Sequence, residues 1–254
     1  MHNLSNKNAL ILGATSGIGL AIAASFRDSG AEVIIAGRRD VSKTASDIGA
    51  RFLPCDMTDE HHVIETLDAA ITLLDSLEVL VINAGIADDE GSIESYASES
   101  MKSIIDVNFN GTFYALKHAP ARLRDGASII YTGSVAGSGV THAGAAVYAA
   151  SKAGGAYLMR ASAIENAPRG IRVNAVCPAL IADTGMMVPD DGNETATFLS
   201  QLNAFGRMGR QDEVVGIYNF LASDASTFIT GQEIRVDGGM TAGIGLPLFA
   251  AIGS

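Results

Sequence analysis

Short apolar runs alternate with longer segments of helical pattern along most of this chain. The strand-like runs fall at residues 9–12, 33–36, 51–53, 79–82, 128–131, 171–176 and 233–236, and the helical patterns lie near residues 17–29, 59–75, 98–124, 145–166 and 211–222. Gly30 stands where a glycine would end the first helix. Repeated β-α-β order indicates a parallel sheet covered by helices on both faces. The sequence therefore predicts an α/β fold with a doubly wound parallel sheet of about seven strands.

The composition favours one folded unit over residues 1–254. Hydrophobic residues make up 48% of the chain, which is enough for a large core, and no proline-rich linker, charge run or repeat divides it. Residues 1–7 are polar and no apolar stretch approaches the length of a membrane span, so we expect neither a secretory signal nor membrane insertion. Two cysteines, Cys55 and Cys177, are too few for a disulfide framework. We interpret them as core residues of a cytoplasmic protein.

Charge and residue spacing argue against two kinds of partner. A net charge of −11 would repel the phosphates of a nucleic acid at long range. His61 and His62 are adjacent, but no spacing of His, Cys, Asp and Glu resembles a metal site. We therefore expect neither nucleic acid nor metal to bind.

A glycine-rich loop, Gly13-Ala14-Thr15-Ser16-Gly17-Ile18-Gly19, joins the first predicted strand to the first predicted helix. Glycines let the backbone turn tightly and approach a pyrophosphate, and the N-terminus of a helix attracts its negative charge. Ligands of open parallel sheets bind beyond the carboxyl ends of the strands, which is where this loop lies. An ordinary glycine-rich turn is the alternative, but the position on the first β-α unit favours nucleotide binding.

Tyr148 and Lys152 are spaced to form a proton-transfer pair. Residues four apart lie on one face of a helix. Tyrosine normally keeps its proton to about pH 10, and an ammonium at roughly 4–5 Å would lower its pKa by about 2–3 units. A solvated helix face is the alternative for such a pair on its own. We expect Lys152 to bring the pKa of Tyr148 close to neutrality.

The order and separation of several motifs resemble those of the short-chain dehydrogenase/reductase family. The matching residues are Gly13, Gly17, Gly19, Asn83-Ala84-Gly85, Asn108, Ser134, Tyr148 and Lys152, and the resemblance runs from about residue 7 to Gly239. It implies a single Rossmann-type NAD(P)-binding domain. Leu12, Ile82 and Ala179 depart from the Thr, Asn and Gly usual in the family. We expect the first two to change local hydrogen bonding with little loss of nucleotide binding.

The resemblance implies four catalytic residues. Tyr148 would give a proton to a substrate carbonyl, or take one from an alcohol, as hydride moves from or to the nicotinamide. Lys152 would lower the pKa of Tyr148 and bind the nicotinamide ribose. Ser134 would polarise the carbonyl, and Asn108 would hold a water that links Lys152 to solvent.

The resemblance also implies a set of cofactor contacts and a substrate loop. The contacts are Gly13, Thr15, Ser16, Gly17, Ile18, Gly19, Arg38, Arg39, Asp56, Met57, Asn83, Gly85, Tyr148, Lys152, Pro178, Ile181 and Thr184. The substrate loop spans about residues 178–206. Its side chains Met186, Met187 and Phe198 either form an adaptable apolar wall or simply pack the loop.

Cofactor choice is expected to depend on the end of the second predicted strand. Gly37 occupies the position where an acidic residue would hold the ribose hydroxyls of NAD. Arg38 can pair with the 2′-phosphate of NADP, and Arg39 adds positive charge or stacks on adenine. Solvated loop charges are the alternative for this pair, and Ser16 supplies no further basic group. We expect NADP(H) to be preferred, with NAD(H) as the alternative.

The C-terminal tail, residues 240–254, carries no charge and contains several large apolar side chains. Packing on another subunit would remove them from water, so we expect a homo-oligomer, a tetramer or a dimer. Docking of the tail onto its own chain is the alternative.

These features together predict an enzyme: an NADP(H)-dependent oxidoreductase that interconverts a secondary alcohol and a ketone, or a primary alcohol and an aldehyde. An NAD(H)-dependent dehydrogenase of the same family is the first alternative. A nucleotide-sensing protein without turnover is the second, but such a protein would need no proton relay.

Overall fold

The computed structural model describes residues 2–87, 91–186 and 194–248. Its strands are β1 (Asn8–Leu12), β2 (Glu32–Gly37), β3 (Arg51–Pro54), β4 (Val79–Ile82), β5 (Ser128–Thr132), β6 (Arg172–Pro178) and β7 (Glu233–Val236). All pair in parallel, in the order β3-β2-β1-β4-β5-β6-β7. The prediction of one doubly wound parallel sheet of about seven strands is confirmed.

Helices cover both faces of this sheet. Those of the described residues are α1 (Gly17–Asp28), α2 (Ser42–Asp47), α3 (Glu60–Leu74), α4 (Ser98–Ile104), α5 (Gly111–His118), α6 (Val135–Ser138), α7 (Ala146–Asn166), α8 (Glu194–Ser200) and α9 (Gln211–Ala222). A π-helix, Ile105–Asn110, joins α4 to α5, and a 3-10 turn, Pro120–Arg122, follows α5. Within the described ranges, no helix combines the length and the apolar character needed to cross a membrane.

Alternate residues of the strands face opposite cores. Leu10 and Leu12 of β1 pack in one core with residues of α3, α5 and α7. Ala9 and Ile11, which alternate with them along β1, pack in the other core with residues of α1 and α9. Because both faces are covered, β1, β2 and β4 are apolar at nearly every position, which is why they were visible as continuous apolar runs. Cys55 and Cys177 are buried free thiols, as expected.

Most predicted helices match the structure, but the one predicted over residues 98–124 is wrong as a single element. The chain there passes from α4 through the π-helix to α5 and then to the 3-10 turn at Pro120. The short helices α2, α6 and α8 were not predicted. Gly30 has a φ of +96° just beyond α1, which confirms its expected place at the end of that helix.

The order of the strands places the site. After β3 the chain returns to the other side of β1, so β2 and β4 flank β1 on opposite sides. Loops that leave neighbouring strands in opposite directions open a crevice beyond their carboxyl ends. The glycine-rich loop after β1 and Asn83 to Gly85 after β4 both lie at this crevice.

Candidate active site

The glycine-rich loop packs against the loop after β4 more closely than side chains would allow. A Cβ placed on Gly13, which has a φ of +85°, would lie 2.4 Å from Ala84 Cα, and one on Gly19 would lie 2.4 Å from the carbonyl oxygen of Gly13. The Asn83 side chain donates a hydrogen bond to that same oxygen at 2.7 Å. These contacts fix the path of the loop backbone at the crevice.

Main-chain hydrogen bonds hold two of the three positions that depart from the family pattern, Leu12 and Ile82. Leu12 and Ile82 are buried neighbours in the sheet. The carbonyl oxygen of Leu12 accepts hydrogen bonds from the amides of Asn83, at 2.9 Å, and Ala84, at 3.0 Å. The glycine-rich loop is therefore anchored to β4 at this point without a polar side chain at residue 12 or 82.

The N-terminus of α1 offers backbone amides and no competing negative charge. Ser16 precedes the helix without a capping hydrogen bond from its side chain, and the first turn has no acidic residue. The first amides of a helix lack partners within it and carry the positive end of its dipole. A Cβ on Gly17 would lie 2.9 Å from the carbonyl oxygen of Thr184, so the segment after β6 passes beside this helix end. Ile18 is partly buried against the core below.

The two arginines after β2 have different surroundings. Arg39 donates hydrogen bonds to the hydroxyls of Thr15, at 3.3 Å, and Ser16, at 3.0 Å. Arg38 lines a cavity of about 450 Å³ together with Asp56 and His62. Burial favours a higher pKa for Asp56, but hydrogen bonds from Thr58 and the charge of Arg38 hold that pKa below its ordinary value. Asp56 is therefore a carboxylate beside the Arg38 guanidinium.

Ser134 and Tyr148 are brought together by α6 and α7. Ser134 follows β5 and its hydroxyl accepts a hydrogen bond from the amide of Ala136, at 3.1 Å, which caps α6. Burial raises the pKa of Tyr148, and a hydrogen bond with Ser134 opposes that rise. The two hydroxyl groups therefore lie together at the carboxyl end of β5.

Lys152 lies one helical turn beyond Tyr148 and is buried, with 3% of its surface exposed. Its ammonium donates a hydrogen bond to the carbonyl oxygen of Thr132 at 2.9 Å. The ammonium also lies 5.9 Å from the centroid of the Tyr148 ring. Burial lowers the pKa of Lys152 to about 8.

The expected lowering of the Tyr148 pKa by Lys152 is wrong for this arrangement. The pKa of Tyr148 lies above its ordinary value, because burial disfavours the phenolate more strongly than the hydrogen bond with Ser134 stabilises it. Lys152 directs its ammonium to a main-chain carbonyl and carries its own cost of burial. Tyr148 is therefore a protonated phenol at neutral pH in the folded chain.

Asn108 lies inside the π-helix and is fully buried. Its side chain accepts a hydrogen bond from the amide of Ile86 at 2.8 Å. It donates to the carbonyl of Ile86 at 2.9 Å and to the Ser151 hydroxyl at 3.0 Å. Asn108 thus ties the loop after β4 to α7. Its implied role as the holder of a water near Lys152 remains a prediction.

The remaining implied cofactor contacts divide into site and core residues. A Cβ on Gly85 would lie 2.8 Å from the Lys152 ammonium nitrogen, so Gly85 borders the site. Thr184 donates its hydroxyl hydrogen bond to the carbonyl of Ile181, at 3.2 Å, beyond Pro178 at the end of β6. The side chains of Met57 and Ile181 are only 5% and 4% exposed and belong to the cores. Residues 187–193 of the predicted substrate loop, Met187 among them, lie outside the described residues.

A second cavity adjoins this edge of the molecule. It has a volume of about 710 Å³ and is lined by Ile93, Ala136 of α6, His142, Ala146 and Ala149 of α7, and neighbouring small residues. Its walls are mostly short apolar side chains. In the part of the chain that the structure describes, no three His, Cys, Asp or Glu side chains come together as a metal site.

Four residues that pack around Lys152 on the side of β5 and α7 were not predicted from the sequence. Tyr131, Thr132, Ser151 and Gly155 contact the ammonium, its helix or its partners. Spacing along the chain carries no signal for Tyr131 and Thr132, because they meet Lys152 only through packing of β5 against α7, and Gly155 of α7 meets the Tyr131 ring through the same packing.

Comparisons with known proteins agree with this geometry. A family model described as enoyl-(acyl carrier protein) reductase matches residues 13–241. Cis-4-hydroxycyclohexanecarboxylate dehydrogenase of Sinomonas cyclohexanicum is 37% identical over 92% of this chain and 96% of its own length. The NADP-dependent (R)-specific alcohol dehydrogenase of Lentilactobacillus kefiri is 34% identical over 94% of this chain and 98% of its own.

A solved structure shows the same fold. The short-chain dehydrogenase/reductase from Serratia marcescens BCRC 10948 superposes with a TM-score of 0.88 at 32% identity, covering 94% of this chain and all of that one. The likeness extends over the whole sheet and its flanking helices.

Proposed function

This chain belongs to the short-chain dehydrogenase/reductase family and is therefore an NAD(P)-dependent oxidoreductase acting on CH–OH groups, and from that premise we propose that it interconverts a secondary alcohol and a ketone, or a primary alcohol and an aldehyde, with Tyr148 as the acid-base group. The observation that supports this most strongly is the meeting of Ser134, Tyr148 and Lys152 beside the glycine-rich loop. The proton donor and the buried cation lie one turn apart on α7, and the hydroxyl partner of the donor comes from the start of α6.

The residues at the crevice fit a dinucleotide. Gly13 and Gly19 let the loop pack closely against Ala84 and Asn83, where a Cβ would clash, and the amides at the N-terminus of α1 face no acidic side chain. A pyrophosphate matches the charge of this helix end. The bound nucleotide supplies the hydride donor or acceptor, and the chain supplies the contacts described below.

Ser134 and Tyr148 would act on the substrate oxygen. In the reducing direction, the Tyr148 hydroxyl gives its proton to the carbonyl oxygen as that oxygen gains negative charge. The Ser134 hydroxyl donates a hydrogen bond to the same oxygen and stabilises the charge as it forms. In the oxidising direction, Tyr148 takes the proton from the alcohol. The raised pKa of Tyr148 suits the reducing direction at neutral pH, because the proton is already in place.

Lys152 and Asn108 would support this step from behind. Lys152 is held by Thr132 and reaches the side of Gly85, where a nucleotide ribose would lie. Asn108 fixes the main chain of Ile86 next to Gly85, and so shapes the same wall. We assign Asn108 the further role of positioning a water through which Tyr148 and Lys152 exchange protons with solvent.

NADP(H) is the cofactor that the arginines after β2 favour. Arg38 is exposed beside the cavity that it lines with Asp56, so its guanidinium is available to a 2′-phosphate. A Cβ on Gly37 would lie 2.6 Å from the methyl group of Thr15, which leaves little room for the acidic side chain that NAD-binding would use. Preference for NAD(H) is the alternative, since Arg39 is already bonded to Thr15 and Ser16.

A panel of alcohols and carbonyls, assayed with NADPH and NADH in parallel, tests the proposal. The panel should include cis-4-hydroxycyclohexanecarboxylate, because a relative is named for that substrate. Arg38→Gln should lower kcat/KM for NADPH by about 10- to 100-fold, through loss of a charge-assisted hydrogen bond, and change the value for NADH by less than about threefold. Arg124→Gln, at an exposed arginine near the amino ends of β4 and β5, away from the crevice, is the matched control. Faster turnover with NADH throughout would overturn the preference.

A nucleotide sensor without turnover is a weaker proposal. Burying an ammonium is costly, and such a cost is understandable where the charge assists proton transfer. Lys152 is buried next to Tyr148, whose hydroxyl is bonded to Ser134, and a binding module would gain nothing from that arrangement.

We also propose that the protein is a cytoplasmic homo-oligomer, a tetramer or a dimer. The described part of the tail docks on its own chain through the backbone of Gly245 against Ala204 and through Pro247 against Gly206. Ile244 and Leu246 nevertheless remain 69% and 83% exposed, which is costly for large apolar side chains unless a second copy covers them. Residues 249–254 of the tail lie outside the described residues.

A further inference from the structure

The Lys152 ammonium lies between two tyrosine rings. Its nitrogen is 5.4 Å from the centroid of the Tyr131 ring on β5 and 5.9 Å from that of Tyr148 on its own helix. A cation within about 6 Å of the face of an aromatic ring is attracted by the negative charge of that face. Tyr148 takes part in the proposed chemistry, whereas Tyr131 has no role in it.

The packing around Tyr131 is built to keep the ring in this place. Tyr131 is fully buried, and its hydroxyl donates a long hydrogen bond, 3.5 Å, to the carbonyl of Lys152. A Cβ on Gly155 would lie 2.3 Å from the Tyr131 hydroxyl oxygen and 2.6 Å from the ring carbon that bears it. Residue 155 must therefore lack a side chain if the ring is to lie between β5 and α7.

Tyr131 offers its ring without offering a charge. Burial raises the pKa of Tyr131 far above its ordinary value, and the nearby Tyr148 adds to that rise. Tyr131 therefore keeps its proton throughout the working range of pH, and its effect on the ammonium comes from the ring face alone.

Few other groups act on the ammonium. Cys177 of β6 is a titratable neighbour, and burial raises its pKa, so that it is a neutral thiol. Thr132, Gly85 and Asn108 present a carbonyl oxygen, a backbone and an amide, none of which titrates. Among the described residues, no carboxylate forms a salt bridge with Lys152.

We propose that Tyr131 is a positioning residue for Lys152: its ring face stabilises the buried ammonium against the carbonyl of Thr132, and Gly155 makes room for that ring. The catalytic consequence rests on the proposed function, because Lys152 must be charged and in place to support Tyr148. The stabilisation itself is a property of the folded chain and is open to measurement without any substrate.

The test is a titration of Lys152 followed by NMR. The lysines are labelled with 13C at Cε. The signal that is missing from the spectrum of Lys152→Met belongs to residue 152. The wild-type midpoint should lie near pH 8, where burial places the pKa. Tyr131→Phe keeps the ring and should leave the midpoint within about 0.3 units. Tyr131→Leu removes the ring and should lower the midpoint by about 0.5–1.5 units, the equivalent of one cation–π contact.

A second series keeps the shape of the ring and changes only its charge distribution. Residue 131 is replaced by phenylalanine with no, two or three ring fluorines. Each added fluorine weakens the negative charge of the ring face, while the volume of the ring stays almost constant. The midpoint of Lys152 should fall with each step. Tyr218→Phe is the matched control, because this buried tyrosine bonds to the Thr132 hydroxyl at 2.8 Å but does not contact the ammonium. The midpoint of Lys152 in this variant should equal that in the wild type.

The outcomes separate this inference from the proposed function. An unchanged Lys152 midpoint across the fluorinated series would overturn the role of Tyr131, whatever the activity of the protein. If Tyr131→Leu fails to fold, the fluorinated series decides alone. Failure of every alcohol and carbonyl to turn over would contradict the proposed function and leave the titration result standing.

Discussion

At Tyr148, burial and hydrogen bonding act in opposite directions on the same proton. Burial holds the proton on the phenol, and the Ser134 hydroxyl favours its release. Lys152 is close by, but its ammonium faces the ring and the carbonyl of Thr132. The balance leaves Tyr148 as an acid that is ready to donate, and makes it a base only when the pH is high.

The two directions of the reaction should therefore respond differently to pH. Oxidation of an alcohol requires the deprotonated form of Tyr148, whose fraction grows as pH approaches the raised pKa. We expect the oxidation rate at saturating substrate to rise steadily from pH 7 to pH ~10, and the rate of carbonyl reduction to stay level below pH ~9. Initial rates in both directions across this range provide the measurement. An oxidation rate already level from pH ~8 upward would show that Tyr148 titrates near neutrality.

Sequence alone was enough to find Tyr148 and Lys152, because one helical turn separates them and a helix converts that spacing into proximity. It was not enough to give the direction of the pKa shift. That direction depends on how deeply the phenol is buried and where the ammonium points, and both are set by contacts with Ser134 and Thr132, which lie on other elements. Tyr131 and Gly155 were invisible for the same reason.

At the scale of elements, the π-helix Ile105–Asn110 decides where Asn108 faces. The sequence predicted one continuous helix over 98–124, because an apolar pattern cannot reveal a local change in the pitch of the backbone. In the structure, the wide turn coincides with a fully buried asparagine that holds both main-chain polar groups of Ile86. Helices as short as α2 and α6 escaped prediction because they span too few turns to show periodicity.

We expect Asn108→Ala to destabilise the folded protein, an effect separate from the proposed role of Asn108 in catalysis. The change leaves the part-buried amide and carbonyl of Ile86 without their partner, which costs about 1–3 kcal/mol of unfolding free energy. Urea unfolding followed by circular dichroism measures the loss.

Asn110→Ala, two residues further in the same π-helix, is the matched control. Its side chain bonds to the exposed Asp106, so the loss should stay below about 0.5 kcal/mol. Equal losses for the two variants would contradict the structural role of Asn108.

At the scale of the whole molecule, the parallel sheet explains where the site lies, but it does not explain the exposed apolar side chains of the C-terminal tail. The doubly wound parallel sheet was predictable because parallel strands need crossover helices and the central strands are apolar runs buried on both faces. The exposure of Ile244 and Leu246 was not, because it depends on how Gly245 and Pro247 dock against residues 204 and 206. A second copy of the chain is the simplest cover for such side chains.

Light scattering at micromolar concentration tests this association. The wild-type protein should have the mass of a dimer or tetramer, and Ile244→Ser with Leu246→Ser should lower that mass or raise the concentration at which it dissociates. Leu73→Ser, at a partly exposed leucine of α3, is the control and should leave the mass unchanged. A wild-type monomer of 26.2 kDa would refute the oligomer.

The central claim is that Tyr148 moves the proton that accompanies hydride transfer, and one substitution tests it most directly. Tyr148→Phe removes the hydroxyl and keeps the ring over Lys152. We predict a fall in kcat of at least about 100-fold, with the dissociation constant of the nucleotide changed by less than about threefold. Tyr157→Phe, at an exposed tyrosine of the same helix, should keep full activity. Near-complete activity of Tyr148→Phe would contradict the account.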